Sequence, residues 1–408
     1  MRVLLFLGVI AALFLFACVD GQGNDDDDEA PSSDDDDDND DDDNDDDDTD
    51  DPSNPFLNPE QPGPYPVGNT SFFFEDSSRS LSCGDGNRVL LTEVWYPAAP
   101  EASQWPENYV HDFFLDRWEE VVAAMGGDQS ELIDQPTGSF RDAPPAEGAP
   151  ALPILVFSHG FFSNRFQNFT MATYLASHGY LVVSADHICN AKVTLTPDEI
   201  VMGSILNVPL TLTERNGDVR FLIDIFTATP PEPFAGRLDP ERVGLWGHSF
   251  GALTVTEVFK SEPRADALLQ MAAFGFPNVP ADVVGPSMYF WGKQDKWMFW
   301  SRDWHDRVVT AMPKPKYELE FFETGHFAFS DLCEFVTMLK ENGNGCGDEK
   351  KIGVDEWFSN PSRDAIHEVL NPYATAFFGA ALFDEPALHA YLAQNHRPEM
   401  VEYRTHLP

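Results

Sequence analysis

The chain has 408 residues, with 69 Asp and Glu residues against 25 Lys and Arg residues, and a net charge of −44 at pH 7. Residues 20–51 hold 21 of these acids, yet the residues after 51 still carry 48 acids against 24 bases, a net −24. A surface this acidic excludes nucleic-acid binding by phosphate neutralisation and indicates a very soluble or salt-adapted domain.

The first eighteen residues have the pattern of a secretion signal. Arg2 precedes an apolar run at residues 3–17, shorter than the roughly 20 residues that a bilayer-spanning helix needs. Cys18 comes next and resembles the lipobox cysteine of bacterial lipoproteins, which is lipidated, although Phe16 departs from the small or branched residue usual there. We therefore expect export to the cell envelope with a lipid anchor at Cys18. The alternative is a secreted protein cleaved nearby.

An Asp-rich tract and then a stretch rich in Pro, Asn and Gly fill residues 19–68. Such a segment repels itself and cannot bury apolar surface, so we expect a disordered tether. Calcium binding is the alternative, but the tract lacks the ordered glycine and final glutamate of a calcium loop. The predicted organisation is a signal segment at 1–18, the tether at 19–68 and one domain at 69–408.

Strand and helix patterns alternate through this domain, and we take them in chain order. Strands are predicted at 90–96, 154–157, 180–184, 242–246, 267–272, 288–291 and 318–322, and helices at 166–177, 219–227, 252–260 and between the last two strands. The first strand is expected at an antiparallel edge, followed by a partly helical insertion at 105–140. The later strands are apolar on both faces, which predicts an α/β fold with a mostly parallel sheet covered by helices on both sides.

A strand pattern and a helix pattern flank the pentapeptide Gly-His-Ser-Phe-Gly at residues 247–251. This is the G-x-S-x-G nucleophile elbow, in which the serine sits on a tight strand-to-helix turn. Ser249 is therefore the candidate nucleophile for hydrolysis of an ester or related acyl bond. We expect His248, inside the elbow, to serve in packing and hydrogen bonding.

A serine nucleophile needs an imidazole base and a carboxylate to orient that base, and on this fold the chain order is Ser, acid, His. Asp295 follows the strand at 288–291, and His326 follows the strand at 318–322. We predict Asp295 as the orienting acid and His326 as the general base. Their rivals lie on the intervening helix: Asp303 and Asp306 for the acid, and His305 for the base.

Two backbone N–H groups must hold the charge that develops on the carbonyl oxygen. We expect one from Phe250, directly after the nucleophile. The loop Ser-His-Gly-Phe-Phe at 158–162 follows a strand and matches the H-G type of oxyanion loop. Phe161 is the predicted second donor, with Phe162 the near alternative. A plain tight turn at this loop is the other interpretation.

Four cysteines follow Cys18, and an even count in an exported chain predicts up to two disulfides. They are Cys83, Cys189, Cys333 and Cys346. The preferred pair is Cys333 with Cys346, after the predicted base, which leaves Cys83 with Cys189. Since no pair is two to four residues apart, the spacing does not fit a zinc site. We expect no metal and no cofactor.

Four segments carry a resemblance to a known family: LPILVFSHG at 152–160, LASHGY at 175–180, VGLWGHSFG at 243–251 and GHFAF at 325–329. They resemble the α/β-hydrolase branch that includes dienelactone-hydrolase-like proteins, platelet-activating-factor acetylhydrolases, chlorophyllase-like enzymes and polyester hydrolases, over roughly residues 90–392. The resemblance implies a cofactor-free serine esterase with the triad and oxyanion donors named above. True dienelactone hydrolases carry a cysteine where this chain has Ser249.

The sequence thus predicts an exported serine hydrolase of acyl-ester or lipid-like substrates. An acyltransferase or amidase with the same triad is one alternative. An inactive surface lipoprotein whose acidic tract binds cations or partners is another. Aromatic residues at 297–300 and Trp304 either cap the substrate pocket or form helix core.

Overall fold

The computed structural model describes residues 58–125, 135–204, 208–273, 285–297, 302–335, 339 and 343–407. All of them belong to one unit of the chain, Asp51–Pro408. The predicted signal segment, Cys18 and residues 19–57 of the predicted tether lie outside the described residues, so their assignment stays a prediction. The end of that tether, residues 58–68, is instead part of the folded unit, because the N–H of Gly63 donates to Oγ of Ser177 at 2.9 Å and the first strand begins at Val67.

A large sheet forms the centre of this unit. Its strands, in chain order, are β1 (Val67–Ser80), β2 (Asn87–Pro97), β3 (Glu107–Tyr109), β4 (Pro136–Arg141), β5 (Leu152–Ser158), β6 (Leu181–Ala185), β9 (Leu238–His248), β10 (Ala265–Met271), β11 (Ser287–Gly292), β12 (Lys316–Phe321) and β15 (Val401–His406). Two hairpins stand apart from it, β7 (Val193–Leu195) with β8 (Ile200–Met202), and β13 (Asp348–Lys350) with β14 (Trp357–Ser359).

The strand order across the sheet is β15-β12-β11-β10-β9-β5-β6-β2-β1-β4-β3. The six strands from β12 to β6 are parallel to their neighbours. Antiparallel β15 closes one side, and antiparallel β2 lies next to β6 on the other. The predicted α/β fold with a mostly parallel sheet is therefore confirmed, and the carboxyl ends of its parallel strands meet at one edge.

Helices cover both faces, and an apolar core lies on each side of the sheet. The helices are α1 (Trp118–Met125), α2 (Phe169–Ser177), α3 (Val208–Ala228), α4 (Phe250–Phe259), α5 (Arg302–Ala311), α6 (Leu332–Phe335), α7 (Arg363–Phe383) and α8 (Pro386–Leu392). In the part of the chain that is described, none of them has both the length and the apolar character of a membrane span.

The predicted edge strand at 90–96 lies inside the sheet, which corrects that prediction. This strand, β2, pairs with β1 on one side and with β6 on the other. The insertion at 105–140 is partly helical, as expected, but it also adds β3 and the start of β4 outside β1. These short strands form the edge because the insertion folds back onto the sheet.

The helix predicted at 219–227 begins eleven residues earlier, as α3. Gly217 lowers helix propensity and suggests a boundary in the sequence. In the structure, a Cβ on Gly217 would lie 2.4 Å from Nη1 of Arg79, which donates a hydrogen bond to Asp218. The glycine therefore provides space for this arginine, and the helix continues through it.

Both cysteine pairs form disulfides in the structure, Cys333 with Cys346 and Cys83 with Cys189. The first fixes the segment after the predicted base, and the second fixes the segment after β6. Sequence reasoning did not find α7, although it is long and almost wholly buried against the sheet.

Candidate active site

Ser249 lies at the turn between β9 and α4 with φ 56° and ψ −120°, a backbone conformation rare for residues with a Cβ. The flanking glycines make this turn possible. A Cβ on Gly247 would lie 2.5 Å from the carbonyl carbon of Gly251, and one on Gly251 would lie 1.8 Å from the carbonyl oxygen of Ser158. The predicted nucleophile elbow is thus the observed geometry.

The structure brings Ser249, His326 and Asp295 into one hydrogen-bonded chain, which we call the Ser249 triad. Nε2 of His326 lies 2.8 Å from Oγ of Ser249, and Nδ1 lies 2.7 Å from Oδ2 of Asp295. Since a carboxylate only accepts, Nδ1 carries the hydrogen and Nε2 accepts from the serine hydroxyl. The backbone N–H of Trp297 donates to the other carboxylate oxygen at 2.9 Å, which holds the acid in place.

His248 has the packing role expected of it. Its Nε2 donates to the carbonyl oxygen of His326 at 2.9 Å. Burial, and then the neighbouring His326, lower the pKa of His248 to about 3, so it stays neutral at ordinary pH. Among the rivals, Asp306 is exposed on α5. The side chains of Asp303 and His305 lie outside the described residues.

The loop after β5 lies against the nucleophile. A Cβ on Gly160 would lie 3.6 Å from the Cβ of Ser249. The N–H of Gly160 donates to Oε1 of Gln167 at 2.7 Å, so this group is already used. Phe250 is the first residue of α4, where a backbone N–H has no intrahelical acceptor. Phe161 and Phe250 thus flank the nucleophile, and their role as oxyanion donors remains a prediction.

Aromatic side chains surround this edge of the site. The ring of Trp297 lies 4.7 Å from the ring of His326 and 4.9 Å from that of Phe327. Phe161 meets Phe250 edge-on at 6.0 Å. Of the predicted aromatic cluster, residues 298–300 and the side chain of Trp304 lie outside the described residues. Trp297 itself packs on the predicted base.

Sequence reasoning missed Asn344. Its hydrogen bonds join the loop that carries Asp295, which we call the acid loop, to the loop that carries His326, which we call the base loop. Its Oδ1 accepts the backbone N–H of Lys296 at 2.9 Å and that of His326 at 3.4 Å, and its carbonyl accepts the N–H of Phe327 at 2.9 Å. Asn344 has φ 67°, a left-handed conformation in which Asn is enriched. The Gly-rich sequence around it indicates a turn but not this contact.

A second set of residues was also missed, and we call it the Ser158 network. Oγ of Ser158 lies 2.9 Å from Nε2 of His187, and Nδ1 of His187 lies 2.9 Å from Oδ2 of Asp218. Nη2 of Arg215 donates to Oγ of Ser158 at 3.0 Å, and Nε of Arg88 donates to Asp218 at 2.6 Å. His187 follows a strand, as His326 does, and this position in the sequence could have indicated a role for it. No sequence pattern indicated Arg215 and Asp218, which lie on α3.

In the described part of the chain, no group of three or more His, Cys, Asp or Glu side chains is placed to hold a metal ion.

Comparison with known proteins agrees with the fold. The model of the family described as platelet-activating factor acetylhydrolase, isoform II, matches residues 53–197, about a third of the chain. That match includes the predicted oxyanion loop and ends before Ser249. Among solved structures, a ferulic acid esterase from Streptomyces cinnamoneus superposes with a TM-score of 0.66 at 22% identity, covering 84% of this chain and 96% of that one.

The fold is that of the α/β-hydrolases. The family match confirms the predicted resemblance to the branch that contains the platelet-activating-factor acetylhydrolases over residues 53–197, and the structural likeness shows the fold. These matches do not identify the residues that carry the chemistry.

Proposed function

We propose that this protein hydrolyses carboxylic esters through an acyl-enzyme formed on Ser249. The observation that carries the proposal is the hydrogen-bonded order Ser249, His326, Asp295 at 2.8 and 2.7 Å, on a nucleophile elbow. The three residues follow β9, β12 and β11, which end at the same edge of the sheet. This support is independent of the family match, which ends before all three.

In the first half of the reaction, Oγ of Ser249 attacks the ester carbonyl while Nε2 of His326 takes its proton. Asp295 keeps the hydrogen on Nδ1 and stabilises the imidazolium that forms. The N–H groups of Phe161 and Phe250 hold the developing oxyanion. His326 then protonates the leaving alcohol, and the serine is left acylated.

In the second half, a water molecule takes the place of the alcohol. His326 removes its proton as it attacks the acyl carbon, and a second tetrahedral oxyanion forms in the same hole. Collapse of that intermediate returns the proton to Ser249 and releases the acid. The same triad would serve an acyltransferase, with another alcohol in place of water, or an amidase, with a protonated amine leaving.

The surroundings of the triad favour substrates with an apolar acyl or alcohol group. The half-buried rings of Phe161, Phe162, Trp297 and Phe327 lie around the elbow and the base. Such rings bind apolar and flat groups and present few polar partners to a charged substrate. We infer acyl esters, aromatic esters and lipid-like esters as the substrate class.

The test is turnover of p-nitrophenyl esters of increasing acyl length by the full-length protein and by Ser249→Ala, combined with labelling by an organophosphonate and mass mapping of the labelled peptide. We expect hydrolysis, labelling at Ser249, and a loss of about 10⁴-fold or more in Ser249→Ala. If the protein neither hydrolysed these esters nor was labelled, the inactive surface lipoprotein would be favoured. Labelling without ester turnover, followed by trials with amides or acceptor alcohols, would favour the amidase or acyltransferase.

We further propose that the protein is exported and lipid-anchored through Cys18. The two disulfides support export because structural disulfides persist in oxidising compartments. Cys18→Ser should move the protein from the membrane fraction to the soluble fraction with its esterase activity unchanged. An unchanged membrane fraction would overturn the anchor, and wild-type protein confined to the cytoplasm would overturn export.

A further inference from the structure

The side chain of His159 is bonded at both of its ring nitrogens inside the oxyanion loop. Nδ1 lies 2.7 Å from the carbonyl oxygen of Gly160, and Nε2 lies 3.1 Å from the backbone nitrogen of His187. A carbonyl accepts and a backbone N–H donates, so Nδ1 carries the hydrogen and Nε2 is the acceptor. The two contacts require the same neutral tautomer, and the residue is fully buried.

The carbonyl that His159 holds belongs to the peptide unit whose N–H is that of Phe161. A peptide unit is planar and trans, so its C=O and N–H point in opposite directions. Fixing the Gly160 carbonyl, which also accepts the N–H of Ser163 at 3.3 Å, therefore fixes the direction of the Phe161 N–H. The preceding peptide is anchored separately, because the Gly160 N–H donates to Gln167.

Arg215 holds the same loop through hydrogen bonds to His159 and Ser158. Its guanidinium donates to the carbonyl of His159, to Oγ of Ser158 at 3.0 Å and to Oδ1 of Asn190 at 2.5 Å. It also lies 4.8 Å from the ring centre of Phe250. One buried arginine therefore contacts both segments that carry the proposed oxyanion donors.

The charge of Arg215 also helps to keep His159 neutral. Burial, and then Arg215 and His187, hold the pKa of His159 well below its ordinary value. A protonated ring would place a hydrogen on Nε2, opposite the N–H of His187. The tautomer that orients the loop is thus maintained across the working pH range.

We propose that His159 is a positioning residue of the oxyanion hole, aiming the Phe161 N–H at the reacting carbonyl through its bond to Gly160, with Arg215 as its support. The inference rests on the proposed ester hydrolysis. His159 touches neither substrate nor reacting atoms, so its effect should be confined to the step in which the oxyanion forms.

Two near-isosteric variants separate the two ring nitrogens. In His159→Asn the amide nitrogen lies near the position of Nδ1 and still donates to the Gly160 carbonyl. In His159→Gln the amide lies near the position of Nε2, so the contact with Gly160 is lost. We expect His159→Asn to keep kcat within about fivefold, and His159→Gln to lose roughly 10- to 100-fold in kcat, less than complete removal of a donor costs. KM should change less than about twofold in both variants, because the contact acts on the transition state.

A transition-state readout separates positioning from damaged folding. A trifluoromethyl ketone adds to the serine and forms an oxyanion, so its affinity should fall in parallel with kcat in His159→Gln. An unreactive ether analogue of the substrate should bind equally to all variants. His178 is the matched control, because it is also buried and bonds the carbonyl of Gln61, at the far end of α2. His178→Gln should lower Tm without changing kcat.

Equal kcat for His159→Asn and His159→Gln would overturn the inference, whether both fell or neither did. If the histidine variants fail to fold, Arg215→Lys is measured in their place, with loss of ketone affinity expected and unchanged affinity contradicting the inference. Inactive wild-type protein would remove the proposed function and this inference with it. Turnover that depends on Ser249 together with equal His159 variants would remove only the inference.

Discussion

Two Ser-His-Asp chains with almost the same hydrogen-bond lengths lie close together in this protein. The Ser249 triad has contacts of 2.8 and 2.7 Å, and the Ser158 network has contacts of 2.9 and 2.9 Å. Only the first begins at an elbow with a positive φ, while Ser158 is the last residue of β5. Distance alone therefore does not distinguish a catalytic triad from a structural network.

The charges around the two chains differ. Asp218 is fully buried, and burial alone would raise its pKa, but Arg88 and the hydrogen bond from His187 hold that pKa well below its usual range. Burial, and then Arg215, lower the pKa of His187 to about 3. A base must accept a proton near the working pH. His187 does not meet that requirement, and Ser158 is fully buried, so the Ser158 network holds structure in place.

The largest effects should come from replacing the two aspartates with asparagine. Asp295→Asn should lower kcat by about 10⁴-fold, because the imidazole loses the carboxylate that fixes its tautomer, while Tm changes little. Asp218→Asn should destabilise the fold by about 3–5 kcal/mol, because it leaves Arg88 buried without its carboxylate. Steady-state kinetics and denaturant unfolding on both variants measure this. If Asp218→Asn abolished turnover in protein that is still folded, the distinction between a catalytic Ser249 triad and a structural Ser158 network would be wrong.

One disulfide lies beside the Ser158 network and the other beside the Ser249 triad. Removing each disulfide should have a different effect on stability and activity. Cys83 and Cys189 are 106 residues apart, and Cys189 lies two residues after His187, so the double Ala variant should lose roughly 4–5 kcal/mol of stability. Cys333 and Cys346 are 13 apart, and Cys346 lies two residues after Asn344.

Replacing this second pair with Ala should cost roughly 3 kcal/mol and also lower kcat, since the acid and base loops lose an anchor. Chemical denaturation gives the stabilities, and ester turnover well below each Tm gives the activities. A larger loss of kcat in the Cys83/Cys189 variant than in the Cys333/Cys346 variant would contradict the expectation.

Acid should unfold the protein through its buried histidines. His187 and His248 have pKa values lowered to about 3 by burial, and burial lowers that of His159 as well. In the unfolded chain each titrates near 6.5. Below that pH the unfolded state binds protons that the folded state does not, so stability falls as pH drops from about 6.5 towards 3.

The slope should reach about 1.4 kcal/mol per pH unit for each histidine. Urea unfolding between pH 7 and pH 4 measures it, and His187→Gln should reduce the slope by roughly one third. The same slope in wild type and variant would mean that His187 is not held neutral in the folded state.

The site residues that the sequence predicted are those whose sequence patterns lie next to strands. Ser249, Asp295 and His326 each follow an apolar strand, and the order of parallel strands brings their carboxyl ends together, so short sequence patterns were enough. Their contact distances confirm the grouping, although their catalytic roles remain to be tested.

The Ser158 network and Asn344 were missed because their partners come from a helix and from a loop far along the chain. Arg215 and Asp218 look like ordinary charged positions of a helix until tertiary contacts bury them. The edge position given to 90–96 was wrong for a related reason, since nothing local in 105–140 shows that this insertion returns to the sheet and adds strands outside β1.

The smallest expected effect concerns Asn344, which joins the acid loop to the base loop. Asn344→Asp keeps an oxygen that can accept from Lys296 and His326, and Asp tolerates a left-handed backbone. Asn344→Gly removes the side chain without backbone strain, so the two variants separate the contact from the conformation. We expect Asn344→Gly to lose about tenfold in kcat, equivalent to about 1.4 kcal/mol, and Asn344→Asp to lose less. If Asn344→Gly kept full activity, the hydrogen bonds of Ser249, His326 and Asp295 would be sufficient to position the triad without the contacts of the Asn344 side chain.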